Sequence, residues 1–307
     1  MATAALALPP YDAWSATCDT LHGHAQVLGK LAVALAPPEP QLQHAALRLT
    51  ARGWETLPLP ALDGSGAFVV ALDLHAHEAV VEHSDGRVRR IALTPDRSVG
   101  AVTGDLLAAV RALAGPVEID PTPQEVPWTV PLDEDDVHAR YDPAAVARYV
   151  AAATEAARVL AAFRAPYRGR STPVNAWWGS FDLAATLFSG EPARPPSREF
   201  LMRNAMDVER VEVGWWPGDA RYPRAAFFAY AHPAPEGFAA ATLEPAAARW
   251  DDELGEFLLD WADVVAAPDP FATALAFARS VFRHACDVCE WDPALLASID
   301  GQPPPVK

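Results

Sequence analysis

The chain has 307 residues, of which 51% are hydrophobic and 21% are charged, and its formal net charge is −16 at pH 7. This composition is typical of a globular protein with a sizeable core and excludes a disordered chain. The negative charge disfavours phosphate backbones and anionic lipid, and no stretch approaches the ~20 apolar residues of a membrane span, so we expect neither nucleic acid nor membrane as a partner.

The first predicted element is a long amphipathic helix from Asp12 to about Leu35. Apolar residues recur at helical spacing on one of its faces, and "PPEP" ends it. Ser98 is typical of the N-cap of a second helix, which Gly115 ends. Strands are predicted between these helices at 45–51, 67–75, 79–83 and 87–93, with a hairpin turn at "SDG" (84–86). One further strand is predicted after the second helix, at "VEID" (117–120).

The stretch from Pro116 to Pro143 is rich in proline and acidic residues, which is typical of a boundary. We therefore predict an N-terminal α+β half over 1–126, a connection over 127–142 and a C-terminal α+β half over 143–307. Whether the halves pack as one domain stays open.

In the second half, three Asp-Pro pairs predict helix starts, because aspartate caps the free amides and proline fits the first helical position. These pairs are Asp142-Pro143, Asp269-Pro270 and Asp292-Pro293. Strands are predicted around 175–188, 209–216 and 225–232. Each half then contains helix, strands and helix. The predicted fold class is α+β, with antiparallel sheets covered by long amphipathic helices. Whether the two halves are similar in structure stays open.

The predicted strands of the second half carry aromatic and polar residues on one face. Read with period two, 175–189 and the two later strands each have an apolar face and a mixed face. The mixed faces carry Trp178, Ser180, Asp182, Glu212, Trp216 and Tyr230. An aromatic wall with a few polar groups is typical of a small-ligand pocket. A half-exposed antiparallel sheet alternates in the same way without any ligand, so both interpretations stay open.

Two groups of potential metal ligands have simpler explanations. His75 and His77 would share one strand face with Asp73 and could bind zinc or iron, but no third ligand is evident. Cys286 and Cys289 have the Cys-x-x-Cys spacing, but they lie near the C-terminal end of their helix, where the dipole disfavours a thiolate. We predict no metal and no cofactor. The chain has three cysteines, an odd number that does not suggest a disulfide scaffold, and we expect a cytoplasmic protein.

Several motifs occur together and in one order along the chain. They are "TLHGHAQVLGKL" (20–31), "LTARGW" (49–54), "WWGSFDLAATLFSG" (177–190), "GWWPG" (214–218), "FFAYAHPAPEGF" (227–238) and "LGEFLL" (254–259). In this combination the chain resembles an uncharacterised bacterial family of about this length, catalogued as a domain of unknown function. The resemblance implies no reaction and no cofactor.

The resemblance does imply that helix one, the "TARGW" strand and the aromatic strands meet at one site. It includes the polar residues His22, Gln26 and Lys30 of helix one, which pattern alone assigns to a solvated face. The family pattern has histidine at the position of Asn175 and a small residue at the position of Glu212, so this chain would differ from it within the proposed site.

We therefore expect a cytoplasmic small-molecule-binding protein and, if it is an enzyme, acid/base chemistry without a metal. Asp182 would be the general base, His22 its proton partner and Arg52 an anion or oxyanion anchor. The ligand-binding residues would be Gln26, Lys30, Trp178, Ser180, Glu212, Trp216 and Tyr230. Two alternatives stay open. One is a non-catalytic protein that uses the aromatic face for a partner or a homodimer, and the other is a metal-dependent enzyme that uses the His75/His77 face.

Overall fold

A computed structural model describes residues 6–299 and shows an α+β fold with antiparallel sheets, which confirms the predicted fold class. The chain forms two compact units, and each is assembled from separate segments. The first unit contains residues 11–150 and 175–182. Among the described residues, the second contains 6–10, 151–174 and 183–299. The predicted halves are continuous in sequence, so they do not coincide with these units.

The helices and strands are as follows. The helices are α1 (Ser15–Leu35), α2 (Val99–Ala114), α3 (Pro143–Arg164), α4 (Phe200–Ala205), α5 (Trp261–Ala266), α6 (Pro270–Val288) and α7 (Pro293–Ile299). The strands are β1 (Arg48–Thr50), β2 (Gly53–Glu55), β3 (Leu59–Pro60), β4 (Ala67–Asp73), β5 (Glu78–His83), β6 (Val88–Ala92), β7 (Asn175–Trp177), β8 (Asp182–Pro192), β9 (Val208–Trp216), β10 (Ala226–His232), β11 (Arg249–Asp251) and β12 (Glu256–Asp260). None of the helices in the described part of the chain is long and apolar enough to cross a membrane.

Each unit has its own antiparallel sheet. In the first unit the strand order is β1-β2-β4-β5-β6, and β3 pairs with β4. In the second unit the order is β11-β12-β10-β9-β8. Helix α3 passes from the first unit to the second between residues 150 and 151.

Helix α1 is buried on nearly all sides. Between Thr17 and Ala32 every residue is buried except Asp19, which is partly exposed. The predicted apolar stripe is therefore buried, and so is the face that carries Gln26 and Lys30. Because a buried polar group needs a hydrogen-bond partner, we expect polar groups from other segments to contact this face of α1.

Glycines inside α1 allow neighbouring side chains to approach its backbone. A Cβ atom at Gly29 would lie 2.1 Å from the indole of Trp178, and one at Gly23 would lie 2.6 Å from Val99. Glycine in a helix interior costs about 1 kcal/mol relative to alanine. The close packing of Trp178 and Val99 against α1 explains why glycine occupies these two positions.

We expect Gly29→Ala to destabilise the protein by about 1–3 kcal/mol, because the added methyl group would overlap the ring of Trp178. Gly104→Ala is the matched control. Gly104 is helical and exposed, with open space where its Cβ would lie, so alanine should stabilise there by up to about 1 kcal/mol. Urea unfolding measures both changes, and equal effects at the two glycines would contradict the packing described.

Capping contacts confirm the predicted starts of α2, α3, α6 and α7, whereas α1 begins at Ser15 and not at the predicted Asp12. Ser98 accepts the backbone N–H of Ala101, and Gly115 ends α2 with φ of 96°. The aspartates of the three Asp-Pro pairs each accept a backbone N–H from the first turn that follows, at 2.9, 3.0 and 2.8 Å in chain order. Local sequence signals thus placed these helices correctly.

The proline-rich and acidic stretch is an ordered part of the first unit. The predicted strand at 117–120 is wrong, because this segment is irregular. Asp135 is fully buried, and one of its carboxylate oxygens accepts the backbone N–H groups of Val137 and His138. Its backbone carbonyl accepts the N–H of Gly100 on α2 at 2.9 Å. The predicted connection over 127–142 therefore packs on the first unit.

The stretch 175–189 is not one strand. After β7 ends at Trp177, a turn covers 178–181 and β8 begins at Asp182. Phe181 in this turn has φ of 58°, a left-handed conformation that interrupts an extended chain. The prediction that Trp178, Ser180 and Asp182 share a strand face is therefore wrong.

His75 and His77 also lie in a turn, between β4 and β5, and not on a strand. The Asp73 carboxylate shapes this turn by accepting the backbone N–H groups of His75 and Ala76 at 3.1 and 2.8 Å. The predicted shared strand face is wrong, which removes the basis of the metal alternative. Within residues 6–299 no group of three or more His, Cys, Asp and Glu side chains could hold a metal ion.

The sheet of the second unit has an apolar face and a mixed face. Val211, Val213 and Trp215 of β9 are fully buried on the apolar face. Helix α6 packs against β9, β10 and β12, and the ring of its His284 lies beside Phe257 on this face. The other face carries the polar residues predicted on β9 and β10.

Candidate functional site

The predicted site residues divide between the two units. The first unit contains His22, Gln26, Lys30, Arg52, Trp178, Ser180 and Asp182. The second contains Glu212, Trp216 and Tyr230. Their union in one site stays a prediction, and each unit has its own group of polar side chains.

Gln26 binds the backbone of Gln124 in the irregular stretch after α2. Its amide nitrogen donates to the carbonyl of Gln124 at 2.9 Å, and its amide oxygen accepts the N–H of the same residue at 2.8 Å. This two-point pairing fixes the orientation of a fully buried amide. Gln26 therefore holds the loop against α1.

His22 binds the turn that follows β7. Its Nε2 lies 2.8 Å from the carbonyl oxygen of Trp178 and 3.1 Å from that of Gly179. A carbonyl oxygen only accepts hydrogen bonds, so Nε2 carries a hydrogen and donates to both. The imidazole also stacks on Phe181, with 4.8 Å between ring centres. This nitrogen of the predicted proton partner is thus engaged with backbone.

Trp178 and Lys30 pack together on α1. Trp178 is only 5% exposed, and its indole nitrogen donates to the carbonyl of Ala45 at 3.0 Å. The ammonium of Lys30 lies 5.5 Å from the centre of the indole, a cation–π distance, and 3.7 Å from Asp120. Burial lowers the pKa of Lys30, and the charge of Asp120 opposes this shift. These contacts are those of a core.

Asp182 and Ser180 lie at the end of the same turn. The hydroxyl of Ser180 donates to the carboxylate of Asp182, which is 5% exposed, while Ser180 itself is exposed. The structure therefore brings His22, Trp178, Ser180 and Asp182 to one turn, although no strand face aligns them.

Arg52 lies in the turn between β1 and β2, where it binds two carboxylates. Its guanidinium is 2.9 Å from Glu55 and 3.1 Å from Glu82. The hydrogen bonds to Glu82, with those to Glu55, raise the pKa of Arg52 above its ordinary value. A guanidinium that already binds two carboxylates is less suited to anchor an anionic ligand.

Polar side chains form a row across the sheet of the second unit. Thr186 on β8 pairs in register with Glu212 on β9, and Glu212 pairs with Tyr230 on β10. On the other side, Glu256 on β12 pairs with Asp251 on β11. Continuing the β10–β12 register by one residue places Tyr230 beside Glu256. We call these five residues the polar row.

Two hydroxyl groups donate to Glu212. The hydroxyl of Thr186 lies 2.6 Å from one carboxylate oxygen, and that of Tyr230 lies 3.0 Å from the other. Glu212 is 8% exposed, and hydrogen bonds of this kind offset the cost of burying a carboxylate. Burial and the charge of Glu212 raise the pKa of Tyr230 well above its ordinary value, so the phenol keeps its proton.

Glu256 is the member of the row best suited to exchange a proton. Burial, together with the charge of Glu212, raises the pKa of Glu256 to about 7. Asp251 adds to this shift and Arg221 opposes it. A carboxyl group with a pKa near 7 can both give and take a proton close to neutrality, and such perturbed groups cluster at functional sites.

The sequence match covers almost the whole chain. The model of a family of unknown function, DUF5996, matches residues 7–298. The chain belongs to this family. The match confirms the resemblance seen in the motifs, and the family description names no reaction or ligand. Comparison with curated proteins and with solved structures gives no match.

The two positions at which the resemblance implies a departure, Asn175 and Glu212, have different surroundings. Asn175 is fully buried; its amide oxygen accepts a hydrogen bond from Arg48, and its amide nitrogen donates to Gln43 at 2.9 Å. It therefore ties β7 to the segment around β1. Glu212, by contrast, lies in the polar row between Thr186 and Tyr230.

Trp216 belongs to a neighbouring group that the sequence did not indicate. Its ring centre lies 5.5 Å from that of Tyr222, whose hydroxyl donates to Asp260. Asp260 also forms ion pairs with Arg224 at 3.1 Å and Arg249 at 3.3 Å. Because Asp260 is matched by several donors, this group is typical of a structural network.

Sequence reasoning also left Glu256, Thr186 and Asp251 out of the predicted site. Glu256 falls within the "LGEFLL" motif, and that signal could have found it. Thr186 and Asp251 join the row only through strand register, which the sequence does not reveal.

A cavity of about 460 Å³ lies in the first unit, at the N-terminal ends of α1 and α3. Its lining includes Trp14, Asp96, Arg140 and Arg148. None of these was a predicted site residue, and the mixed charges indicate no particular ligand.

Proposed function

We propose that this protein binds a small polar molecule at the polar row and transfers a proton to or from it. Glu256 gives or takes the proton, and Glu212, which accepts hydrogen bonds from Thr186 and Tyr230, is its partner carboxyl group. The observation that carries the proposal is the placement of two carboxyl groups on either side of Tyr230, one of them with a pKa of about 7. Acid/base enzymes use titratable pairs whose environments separate their roles in this way.

This proposal moves the acid/base roles away from Asp182, His22 and Arg52. His22 binds two backbone carbonyls, and Arg52 binds two carboxylates, in each case within the first unit. Glu212 and Tyr230 keep the ligand-binding role expected from the sequence. A cytoplasmic location is part of the proposal, supported by three cysteines that are free thiols.

The alternative of an aromatic docking surface is less favoured. A docking surface must be accessible, but of the three aromatic residues predicted on this face Trp178 is only 5% exposed, and Trp216 and Tyr230 are only partly exposed. Their burial supports a role in the core of their own chain.

The coupling between the two carboxyl groups can be measured by NMR on carboxyl-¹³C glutamate-labelled protein. Glu256 is expected to titrate with a midpoint near 7. Glu212→Gln should lower this midpoint, because it removes a nearby negative charge that disfavours ionisation. Glu253→Gln is the matched control, since Glu253 is exposed in the β11–β12 turn, and should leave it unchanged. If the titration midpoint of Glu256 is the same in wild type and in Glu212→Gln, the two carboxyl groups are not coupled and the proposed acid/base pair is wrong.

Ligand binding is tested by native and denaturing mass spectrometry of the purified protein, followed by a thermal-shift panel of hydroxy acids, amino acids, sugars and phosphate esters. We expect a mass lost on denaturation, or a compound that raises Tm, with wild type and Glu253→Gln but not with Glu212→Gln. If no compound binds, or if every binder acts equally on Glu212→Gln, the proposed function is wrong.

A further inference from the structure

Arg210 is a buried cation on the same sheet face as the polar row. It lies two residues before Glu212 on β9, opposite Phe188 on β8 and His232 on β10. Its side chain is 5% exposed. Its Nε donates to the carbonyl of Val208 at a long 3.4 Å, and its Nη2 is buried without a hydrogen-bond partner among the described residues.

The charge of Arg210 has no counterion in the described part of the chain. No carboxylate of residues 6–299 forms an ion pair with its guanidinium, and the nearby carboxylate of Glu212 is bound by two hydroxyl groups. Burying a charge without a partner is costly, and proteins normally pair such groups. The Nη2 group therefore keeps a hydrogen-bonding capacity that no described residue uses.

A second guanidinium increases the positive potential at this position. The guanidinium carbon of Arg170 lies 3.7 Å from the ring centre of Phe188, and that of Arg210 lies 5.3 Å from the same ring. Burial lowers the pKa of Arg170, the charge of Arg210 lowers it further, and Asp207 opposes both. Burial likewise lowers the pKa of His232, and Arg210 contributes to that shift.

We infer that Arg210, supported by Arg170, binds the anionic group of the small molecule on which the polar row acts. This inference rests on the proposed function and names its substrate class, a small molecule with a carboxylate or phosphate group. Guanidinium groups match both oxyanions with parallel hydrogen bonds. Two residues along a strand span roughly 7 Å, so the anionic group would lie about that far along the strand from Glu212.

The test titrates inorganic phosphate and acetate into the protein at constant ionic strength, with chloride as the balancing anion, and follows Tm. Wild type should show a saturable rise in Tm with at least one of the two anions. The one that binds more tightly indicates whether the ligand carries a phosphate or a carboxylate. Arg210→Gln should weaken the affinity roughly ten- to a hundred-fold, as expected for the loss of a charged hydrogen-bonding group. Arg89→Gln, at an exposed arginine of β6, should leave it unchanged.

A second pair of variants separates binding from a structural role. Arg210→Met should raise Tm in the absence of anions, because it removes an unpaired buried charge, and should abolish the anion-dependent rise. Arg210→Lys should keep a weakened rise. If wild type shows no saturable rise with either anion, or if Arg210→Met lowers Tm and Arg210→Gln binds normally, the inference is wrong. The anion response of Arg210→Gln tests the anion site, and the titration midpoint of Glu256 tests the acid/base pair, so failure of the one proposal is distinguishable from failure of the other.

Discussion

Trp178→Ala is expected to lower the free energy of unfolding by about 3–5 kcal/mol, as for other large aromatic residues removed from a core. The side chain is 5% exposed and packs on α1 at Gly29. Its removal also leaves the carbonyl of Ala45 without the indole N–H that it accepts at 3.0 Å. Urea unfolding followed by circular dichroism measures the loss.

Trp177→Ala is the matched control, because Trp177 precedes it directly and is partly exposed. We expect a clearly smaller loss there. A Trp178→Ala protein that keeps wild-type stability but loses a ligand would contradict the packing described and return this residue to the wall of a binding site.

The sequence placed the helices well because their boundary signals are local. Ser98 caps α2 through an amide three residues away, and each Asp-Pro pair caps its helix within one turn. Such contacts depend on nothing distant in the chain. The burial of α1 on both faces could not be predicted in this way, because the loop at Gln124 and the turn at Trp178 come from elsewhere in the sequence.

The turn at 178–181 shows the limit of a period-two pattern. Apolar and polar residues do alternate along 175–189 in the sequence, but the left-handed conformation of Phe181 interrupts the strand. Nothing in a phenylalanine indicates such a conformation. The interleaving of segments 175–182 and 11–150 in one unit is a tertiary feature and was equally hidden.

The candidate site could be predicted in part, because sequence spacing indicates the face of a strand but not its neighbours in the sheet. Period two correctly placed Glu212 on the mixed face of β9 and Tyr230 on that of β10, because strand faces follow from sequence spacing alone. Adding Glu256 requires β12 to lie beside β10, an order that local residues do not encode. The unpaired charge of Arg210 is visible only when the surrounding side chains are in place.

Acidification is expected to destabilise the protein through His24 on α1. His24 is 2% exposed, and its Nδ1 is buried without a hydrogen-bond partner in the described residues. Burial, with the charge of Arg97, lowers the pKa of His24 to about 4, and Asp135 opposes the shift. Between pH 6.5 and 4 the unfolded chain therefore binds a proton at His24 that the folded protein does not. The resulting loss is about 3 kcal/mol, fully developed near pH 4 and absent above pH 7.

Other groups also change the stability in acid, so the prediction concerns a difference between proteins. Urea unfolding at several pH values from 7.5 to 4.5 should show that His24→Gln loses less stability on acidification than wild type does. His75→Gln, at an exposed histidine in the β4–β5 turn, should follow wild type at every pH. Parallel curves for wild type and His24→Gln would mean that His24 takes up its proton equally in the folded and unfolded states, and that its burial in α1 does not limit stability in acid.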